Sequence, residues 1–377
     1  MATQVLSLLL SLISSFSLLL HHHYLPPRAH KAQLDLKACK FNAIYQLGDS
    51  ISDTGNIMYE DPGCPSSKLP YGETFFNKPT GRYSNGLLMI DYIALSAGLP
   101  FLNPYLSKDS LFTQGVNFAV AGSTALSPNV LAEKNIVSPF TNSSLSVQLH
   151  WMSTYFNSIC LSARDCAEKL KRSLFMVGEI GGNDYNFAFQ QKTIKEAMAI
   201  VPQVVQAIKD AIQTVIGYGA LKVVVPGNFP IGCFPIYLAS FHTNDSSAYD
   251  EYHCVKELNE FSIYHNDHLK IAIEELKQEH PNVTIIYGDY YNAFQWVYRH
   301  ASNLGFDASS VQNPCYGFGG EYNLSMEKHC GDSEVPVCSN PDQRISWDGI
   351  HLTQNAYHYM SYWLIRDFLN QLGCSGV

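Results

Sequence analysis

Five short apolar runs, separated by stretches of helical periodicity, limit what this chain of 377 residues can fold into. Each run has the length of a strand and few charges, which is typical of strands buried on both faces. Strands that alternate with helices predict an α/β fold, with a parallel sheet covered by helices on both sides. The five runs are Phe41–Leu47, Val116–Val120, Leu174–Val177, Leu221–Val225 and Val283–Tyr287.

The segment Ile194–Ile216 shows the clearest helical pattern, because its apolar side chains recur on one face. Pro202 is expected to kink or split this helix. No repeat or low-complexity linker follows the N-terminal leader, and 46% of the residues are hydrophobic. We therefore predict a single domain over residues 39–377. The other predicted helices are Gly86–Ala97, Ser146–Ile159, Tyr249–His280 and Thr353–Leu372.

The N-terminus predicts a signal peptide. Val5–Leu20 is apolar and uncharged but too short for a confident membrane span, so residues 1–38 are interpreted as a signal peptide and leader. The cleavage site stays open, and an uncleaved anchor is the alternative. The run His21–His23 lies in this leader and has no fixed scaffold, so we predict no metal site there.

Ten cysteines, an even number, suit a protein that passes through an oxidising compartment. Cys160 with Cys166, and Cys330 with Cys338, are close enough in sequence for local bridges, although spacing alone does not fix the pairing. Together with the leader, these features predict delivery to the extracellular space (apoplast) or the vacuole. Candidate glycosylation sites are Asn142, Asn244, Asn282 and Asn323.

The net charge of −9 and the absence of any Lys/Arg run argue against nucleic acid and anionic membranes as partners. A small neutral or cationic substrate and no stable membrane insertion are expected, while the oligomeric state stays open. Two long loops, Asp61–Thr80 and Ala301–Arg344, are either walls of a substrate pocket or plain glycosylated surface.

Ser50, Asp348 and His351 are the candidates for nucleophilic catalysis. Ser50 follows the first predicted strand, where a tight turn can expose a hydroxyl. Asp348 precedes His351 by three residues across a glycine, so its carboxylate can orient the imidazole. On its own, however, a serine after a strand is usually a cap or turn residue, and an Asp-x-x-His segment is usually structural.

Two further residues can supply hydrogen-bond donors to an oxyanion. Asn183 follows the third predicted strand within a glycine-rich segment, and its amide can donate to a developing negative charge. The N–H of Gly122, after the second strand, is a second candidate. Both positions are equally compatible with simple turns that bind nothing.

Four sequence blocks, in order, resemble the GDSL-type hydrolases of the SGNH superfamily, and more narrowly their secreted plant esterases. The first block departs from the family name only in carrying Ile51 instead of leucine. The resemblance implies Ser50 as nucleophile, His351 as base and Asp348 as its orienting group. It also implies an oxyanion hole formed by the Ser50 N–H, Gly122 and Asn183. The blocks are Gly48–Asn56, Gly115–Gly122, Gly181–Asp184 and Asp348–His351.

The same resemblance implies a three-layer α/β/α sandwich with a five-stranded, flavodoxin-like parallel sheet. The segments Pro70–Phe75 and Thr80–Gly86 look like enzymes of the acetylajmalan esterase type. This implies hydrolysis of a small-molecule ester, with a short acyl group such as acetyl on a plant specialised metabolite such as an alkaloid. An acyltransferase that uses the same site, or an inactive binding protein with this fold, are the alternatives.

Other catalytic classes lack their motifs. The sequence has no Gly-x-Ser-x-Gly elbow, no His-Glu-x-x-His, no Walker phosphate loop and no Gly-x-Gly-x-x-Gly after a strand. No metal and no cofactor is therefore expected. We interpret Glu179, Asp184 and Asp289 as buried or capping carboxyl groups rather than as the acid pair of a glycosidase.

Overall fold

A parallel sheet of five strands, in the order β2-β1-β3-β4-β5, forms the centre of the protein. The structure is a computed structural model that describes residues 35–325, 328, 330–332 and 334–374. The five predicted strands are confirmed, with boundaries shifted by a few residues. They are β1 Ala43–Leu47, β2 Gly115–Asn117, β3 Ser173–Val177, β4 Lys222–Pro226 and β5 Thr284–Gly288.

Strand β1 lies between β2 and β3, so Ile44 is paired with Gly115 on one side and with Leu174 on the other. The chain thus leaves β1 in one direction along the sheet and reaches β3 in the other. Ligands of open parallel sheets bind outside the carboxyl ends of the strands at such a reversal. The turns that follow β1 and β3 are therefore where a site is expected.

Helices cover both faces of the sheet. One group contains α4, α8 and α10, which pack on each other and on β1, β3 and β5; a second contains α2, α11 and α12, with α12 against β5. The predicted three-layer α/β/α sandwich is thereby confirmed. The helices are α1 Ile57–Glu60, α2 Met89–Ser96, α3 Pro128–Glu133, α4 Leu145–Ile159, α5 Ala163–Leu170, α6 Gly182–Phe189, α7 Ile194–Met198, α8 Val201–Gly217, α9 Pro235–Ser240, α10 Lys256–Glu279, α11 Tyr290–Arg299 and α12 Gln354–Leu372.

The predicted split at Pro202 is confirmed, and one other helix prediction needs correction. The segment Ile194–Ile216 forms two helices, and Pro202 lies in the first turn of the second, where its missing N–H costs no hydrogen bond. The helix predicted from Tyr249 begins only at Lys256. A bridge between Tyr249 and Val255 and the disulfide of Cys254 keep the preceding residues out of helical conformation.

Four disulfides stabilise the fold. The predicted Cys160–Cys166 bridge is present, but the pairing of Cys330 with Cys338 is wrong, because Cys338 is bonded to Cys315. Proximity in sequence was a poor guide to this pairing. An antiparallel bridge between Tyr316 and Val337 brings Cys315 next to Cys338, although Cys330 is nearer in sequence. The remaining bridges are Cys39–Cys374 and Cys233–Cys254.

Within the described residues, no helix combines the length and apolarity needed to cross a membrane. The predicted signal segment Val5–Leu20 and the run His21–His23 lie outside the described residues. Their interpretation stays a prediction.

Candidate active site

Ser50 and His351 are in direct contact although 301 positions separate them in the sequence. Ser50 lies in the turn after β1 and is 9% exposed. Its Oγ is 2.8 Å from Nε2 of His351, and Nδ1 of the same ring is 2.7 Å from Oδ2 of Asp348. Since a carboxylate only accepts hydrogen bonds, Nδ1 carries the proton and Nε2 is free to accept one from the serine hydroxyl.

The Asp348 carboxylate is held by four donors. Its Oδ1 accepts the N–H groups of Ile350 and His351, at 3.1 and 2.8 Å. Its Oδ2 accepts the imidazole and also the hydroxyl of Tyr71, at 2.9 Å. Burial opposes ionisation, but the facing His351 and the hydrogen bonds outweigh it and hold the pKa of Asp348 below its ordinary value. The group is therefore an anion that fixes the imidazole ring.

Aromatic rings support this cluster from one side. The Tyr83 ring lies 4.6 Å from the His351 ring, centroid to centroid, and 5.5 Å from Tyr71. Tyr71 in turn contacts Trp347, which is fully buried. Such edge and tilted contacts add to the burial of the rings and limit their rotation. The imidazole is thus fixed by packing as well as by Asp348.

The turn that carries Ser50 is anchored by the buried Gln148 of α4. Its amide nitrogen donates to the Gly48 carbonyl at 2.8 Å, and its amide oxygen accepts the Gly48 N–H at 2.9 Å. Asp53 anchors the other end of the turn. Its carboxylate accepts the N–H groups of Gly55, Asn56, Ile57 and Ala121.

The contact with Ala121 joins the Ser50 turn to Gly122, one of the predicted oxyanion donors. Gly122 has φ +83°, and a Cβ there would come within 2.7 Å of Cβ of Phe140, so only glycine fits. The N–H groups of Ser50 and Gly122 have no acceptor among the residues that the structure describes. Asn183 lies in the first turn of α6, and its amide nitrogen donates to the Ser123 carbonyl at 3.0 Å.

The carboxyl groups of Glu179, Asp184 and Asp289 are buried or cap a helix, as predicted. Asp184 accepts the N–H groups of Ala125 and Leu126, which fixes the start of α6 against the Gly122 segment. Asp289 caps α11 through the N–H of Asn292.

Glu179 is buried beside Ser50 and is hydrogen-bonded to Asp49. Burial raises the pKa of Asp49 to about 7 and that of Glu179 well above its ordinary range, and the charge of Asp49 raises it further. Because two carboxylates in contact do not both ionise at low cost, Glu179 keeps its proton and donates it to Asp49. The pair carries at most one negative charge near neutral pH.

A small cleft, with a volume of about 40 Å³, opens next to Ser50. One side is polar, with Asp49, Glu179 and Asn183, and the other is mainly apolar and comes from the segment after β4 and from Ile350. The apolar and aromatic residues of that second side are Phe229, Ile231, Phe234, Tyr237 and Ile350.

The loops Asp61–Thr80 and Ala301–Arg344 were interpreted either as pocket walls or as plain surface, and the first alternative does not hold for this cleft. None of the described residues that line it belongs to either loop. Tyr71, from the first loop, instead donates a hydrogen bond to the Asp348 carboxylate. No role could be predicted for Tyr71, Tyr83 or Gln148 from the sequence, because their partners are distant in the chain. The only signal was that the first two lie in segments shared with plant esterases.

Three predicted glycosylation sites, Asn142, Asn244 and Asn282, are exposed. Asn323 is half-buried, and its amide nitrogen, to which a glycan would be attached, donates to the Pro314 carbonyl at 3.0 Å. No group of His, Cys, Asp and Glu side chains suited to a metal ion occurs in the described part of the chain.

Fold and site together define an α/β enzyme with a Ser-His-Asp cluster at the carboxyl edge of a parallel sheet. A family model described as GDSL-like Lipase/Acylhydrolase matches residues 44–364. Acetylajmalan esterase 1 of Rauvolfia serpentina is 44% identical over 340 residues, 89% of each chain. Sinapine esterase of Brassica napus is 43% identical over 334 residues, 87% of this chain and 85% of that protein.

The chain therefore belongs to the GDSL-like lipase/acylhydrolase family and is a carboxylic ester hydrolase. The resemblance drawn from the four sequence blocks is confirmed. The disulfides are consistent with a protein of the secretory pathway.

Proposed function

We propose that the protein hydrolyses esters in two steps through Ser50, His351 and Asp348. His351 removes the hydroxyl proton of Ser50 through Nε2 as Oγ attacks the ester carbonyl, and then gives that proton to the departing alcohol. Water, activated by the same nitrogen, releases the acyl group from Ser50. The observation that carries this proposal is the 2.8 Å contact between Ser50 Oγ and His351 Nε2.

The developing oxyanion is stabilised by the N–H groups of Ser50 and Gly122 and by the amide of Asn183. The two N–H groups are without acceptors among the described residues, which supports this role. Asn183 lines the cleft next to Ser50. Donors fixed in this way stabilise negative charge without reorganisation during the reaction.

The substrate is a small ester with a short acyl group, such as an acetyl group on a plant alkaloid. Two relatives are named as esterases of acetylajmalan and of sinapine, which supports a specialised metabolite as substrate. The cleft offers an aromatic surface and the carboxyl groups of Asp49 and Glu179. This combination favours a bulky cationic amine as the alcohol part.

Residues 39–377 act as a single hydrolase domain after removal of an N-terminal leader whose cleavage site stays open. The described residues from Asp35 onward fall into one compact unit, which supports a single domain. The protein enters the secretory pathway and acts outside the cell or in the vacuole. Four disulfides and three exposed sequons support this location.

Replacing Ser50 by Ala tests the mechanism. We expect kcat for p-nitrophenyl acetate to fall by about 10³-fold or more, because the nucleophile is lost. Ser52→Ala is the control, since the Ser52 hydroxyl is buried without a hydrogen-bond partner, and it should stay active. A Ser50→Ala enzyme with the rate of the Ser52→Ala enzyme would rule the mechanism out. A series of p-nitrophenyl esters of increasing chain length, assayed on the native enzyme, identifies the preferred acyl group.

A further inference from the structure

Two of the ten cysteines, Cys64 and Cys330, are outside the four disulfides. Cys64 is buried, and Cys330 is half-buried. Unpaired thiols are uncommon in a protein that matures in an oxidising compartment, where an even set of cysteines usually pairs completely. The positions of the two thiols therefore decide whether they can pair with each other.

The segments that carry these two cysteines lie close to each other. A Cβ placed on Gly331, next to Cys330, would lie 3.5 Å from Cβ of Pro65, next to Cys64. A single added methyl group would therefore bring these neighbours of the two cysteines into van der Waals contact. No other cysteine is left to compete for either thiol, because the remaining eight are paired with each other.

Tyr83 links the two sites from a second direction. Cys64 belongs to a small apolar cluster with Ile57 and Val120, and Tyr83 packs against that cluster. Cys330 packs against a neighbouring cluster that contains Tyr71, and Tyr83 packs against this cluster as well. The two thiols thus lie on apolar clusters that share one tyrosine ring.

We propose that Cys64 and Cys330 form a fifth disulfide in the mature protein. The two thiols lose two protons and two electrons and gain one S–S bond. The electrons reduce the disulfide of a thiol–disulfide oxidoreductase, or of a small-molecule disulfide, to two thiols. The bond requires side-chain rotation and a movement of the two adjacent loops that brings the Sγ atoms together. Cys330 then gives up the hydrogen bond that its Sγ donates to the Tyr316 carbonyl at 2.9 Å.

This bond is structural rather than readily reversible. Burial raises the pKa of the Cys64 thiol, and burial together with the charge of Asp348 raises that of Cys330. Because only the thiolate reacts in exchange, the packed thiols react slowly. The bond therefore forms while the chain folds, before the loops close around it.

The bond would limit the movement of Tyr71 and Tyr83, which contact the Asp348–His351 pair. Cys330 Sγ lies 3.9 Å from the Asp348 carbonyl oxygen, and Tyr71 donates to the Asp348 carboxylate. Tyr83, between the two clusters, contacts the His351 ring. A covalent link between the two loops keeps both tyrosines in place against the Asp348–His351 pair.

Peptide mapping of the secreted, full-length protein without reduction tests the proposal directly. The protein is denatured, exposed to iodoacetamide, digested and analysed by mass spectrometry. We expect no alkylated cysteine and one peptide pair that joins Cys64 to Cys330. Alkylation of both cysteines, or a bond from either of them to another cysteine, would overturn the proposal.

Three variants give an independent test: Cys64→Ser, Cys330→Ser and the double change. Each single variant should expose one alkylatable thiol on the remaining partner, and the double variant none. All three should show the same fall in melting temperature of several degrees, because each removes the same bond. Decreases that add in the double variant would show that the two thiols contribute separately and would contradict the bond.

Discussion

At the scale of single residues, the site depends on side chains that are held by specific hydrogen bonds. His351 is fixed between Asp348 and Ser50 by hydrogen bonds of 2.7 and 2.8 Å. The amide nitrogen of Asn183 donates to the Ser123 carbonyl at 3.0 Å and to Oδ2 of Asp49 at 3.4 Å. Because the contact with Asp49 is the longer one, we expect its hydrogen to be the one that turns to the oxyanion.

Replacing Asn183 by Ala tests that assignment. We expect kcat to fall by about 10²–10³-fold with little change in KM, since an oxyanion donor acts in the transition state. Steady-state kinetics on the ester preferred by the native enzyme measures both constants. If KM rises while kcat is unchanged, Asn183 binds the substrate instead.

At the scale of elements, the loops around the site are tied to the helices by buried polar contacts. Arg82, next to Tyr83, makes a two-pronged salt bridge with Asp91 of α2, with both N–O distances at 2.8 Å. Asp91 also accepts the N–H of Leu88 at the start of α2. Both charged side chains are nearly inaccessible to water. The segment that carries Tyr83 is thus attached to α2.

Changing Arg82 to Met should lower the free energy of unfolding by about 3–5 kcal/mol, because Asp91 is left buried without its counter-charge. Denaturation in guanidinium chloride measures the loss. Lys169→Met is the matched control: it removes the exposed ion pair with Asp165 on α5, and water compensates for most of that change. Equal losses in the two variants would contradict the importance of burial.

Much of the element structure follows from the sequence because it is encoded locally. The strands β1 to β5 were predicted from their apolar runs, and Pro202 predicted the division between α7 and α8. The partners of Tyr71 and Gln148 could not be predicted, since contacts across 277 and 100 positions depend on the complete fold. The Cys315–Cys338 bond was also missed, because the pairing depends on how the loop between the two cysteines folds back.

The candidate site could be predicted only in part from the sequence. Ser50, Asp348 and His351 were selected from short motifs and a family resemblance, and the structure brings these side chains into contact. Their catalytic role stays a prediction. The walls of the cleft could not be assigned from the sequence, because the length and glycine content of a loop do not show whether it faces the sheet edge.

At the scale of the whole molecule, the fold buries two carboxyl groups next to the site. A disulfide also links the two ends of the described chain. Cys39 and Cys374, 335 positions apart, join the two ends of the described chain. The pair Asp49 and Glu179 lies inside this closed unit, and burial raises the pKa of Glu179 from its ordinary value of 4.5. The stability of the entire fold therefore depends on pH.

The sign of this dependence follows from proton binding. Above pH 4.5 the unfolded chain has lost the Glu179 proton, while the folded protein keeps it. This contribution to stability is complete at lower pH and is lost as the pH rises through the raised, folded-state value. Glu179→Gln keeps a hydrogen-bond donor at every pH and should not show the loss.

The melting temperature of the native protein should thus fall relative to that of Glu179→Gln as the pH is raised from about 5 to 8. Thermal unfolding at a series of pH values measures the difference. Glu260→Gln, on the exposed surface of α10, controls for the removal of one carboxyl group. A constant difference between the native protein and Glu179→Gln would show that Glu179 is ionised in the folded state.

The proposed mechanism depends on activation of the Ser50 hydroxyl by His351 at the edge of the sheet. Reaction with a fluorophosphonate, which is attacked only by an activated serine, followed by mass spectrometry of the digested protein, tests it most directly. We predict a single adduct on the peptide that contains Ser50, and none in the Ser50→Ala protein. An adduct on another residue, or no adduct on the native enzyme, would contradict this account.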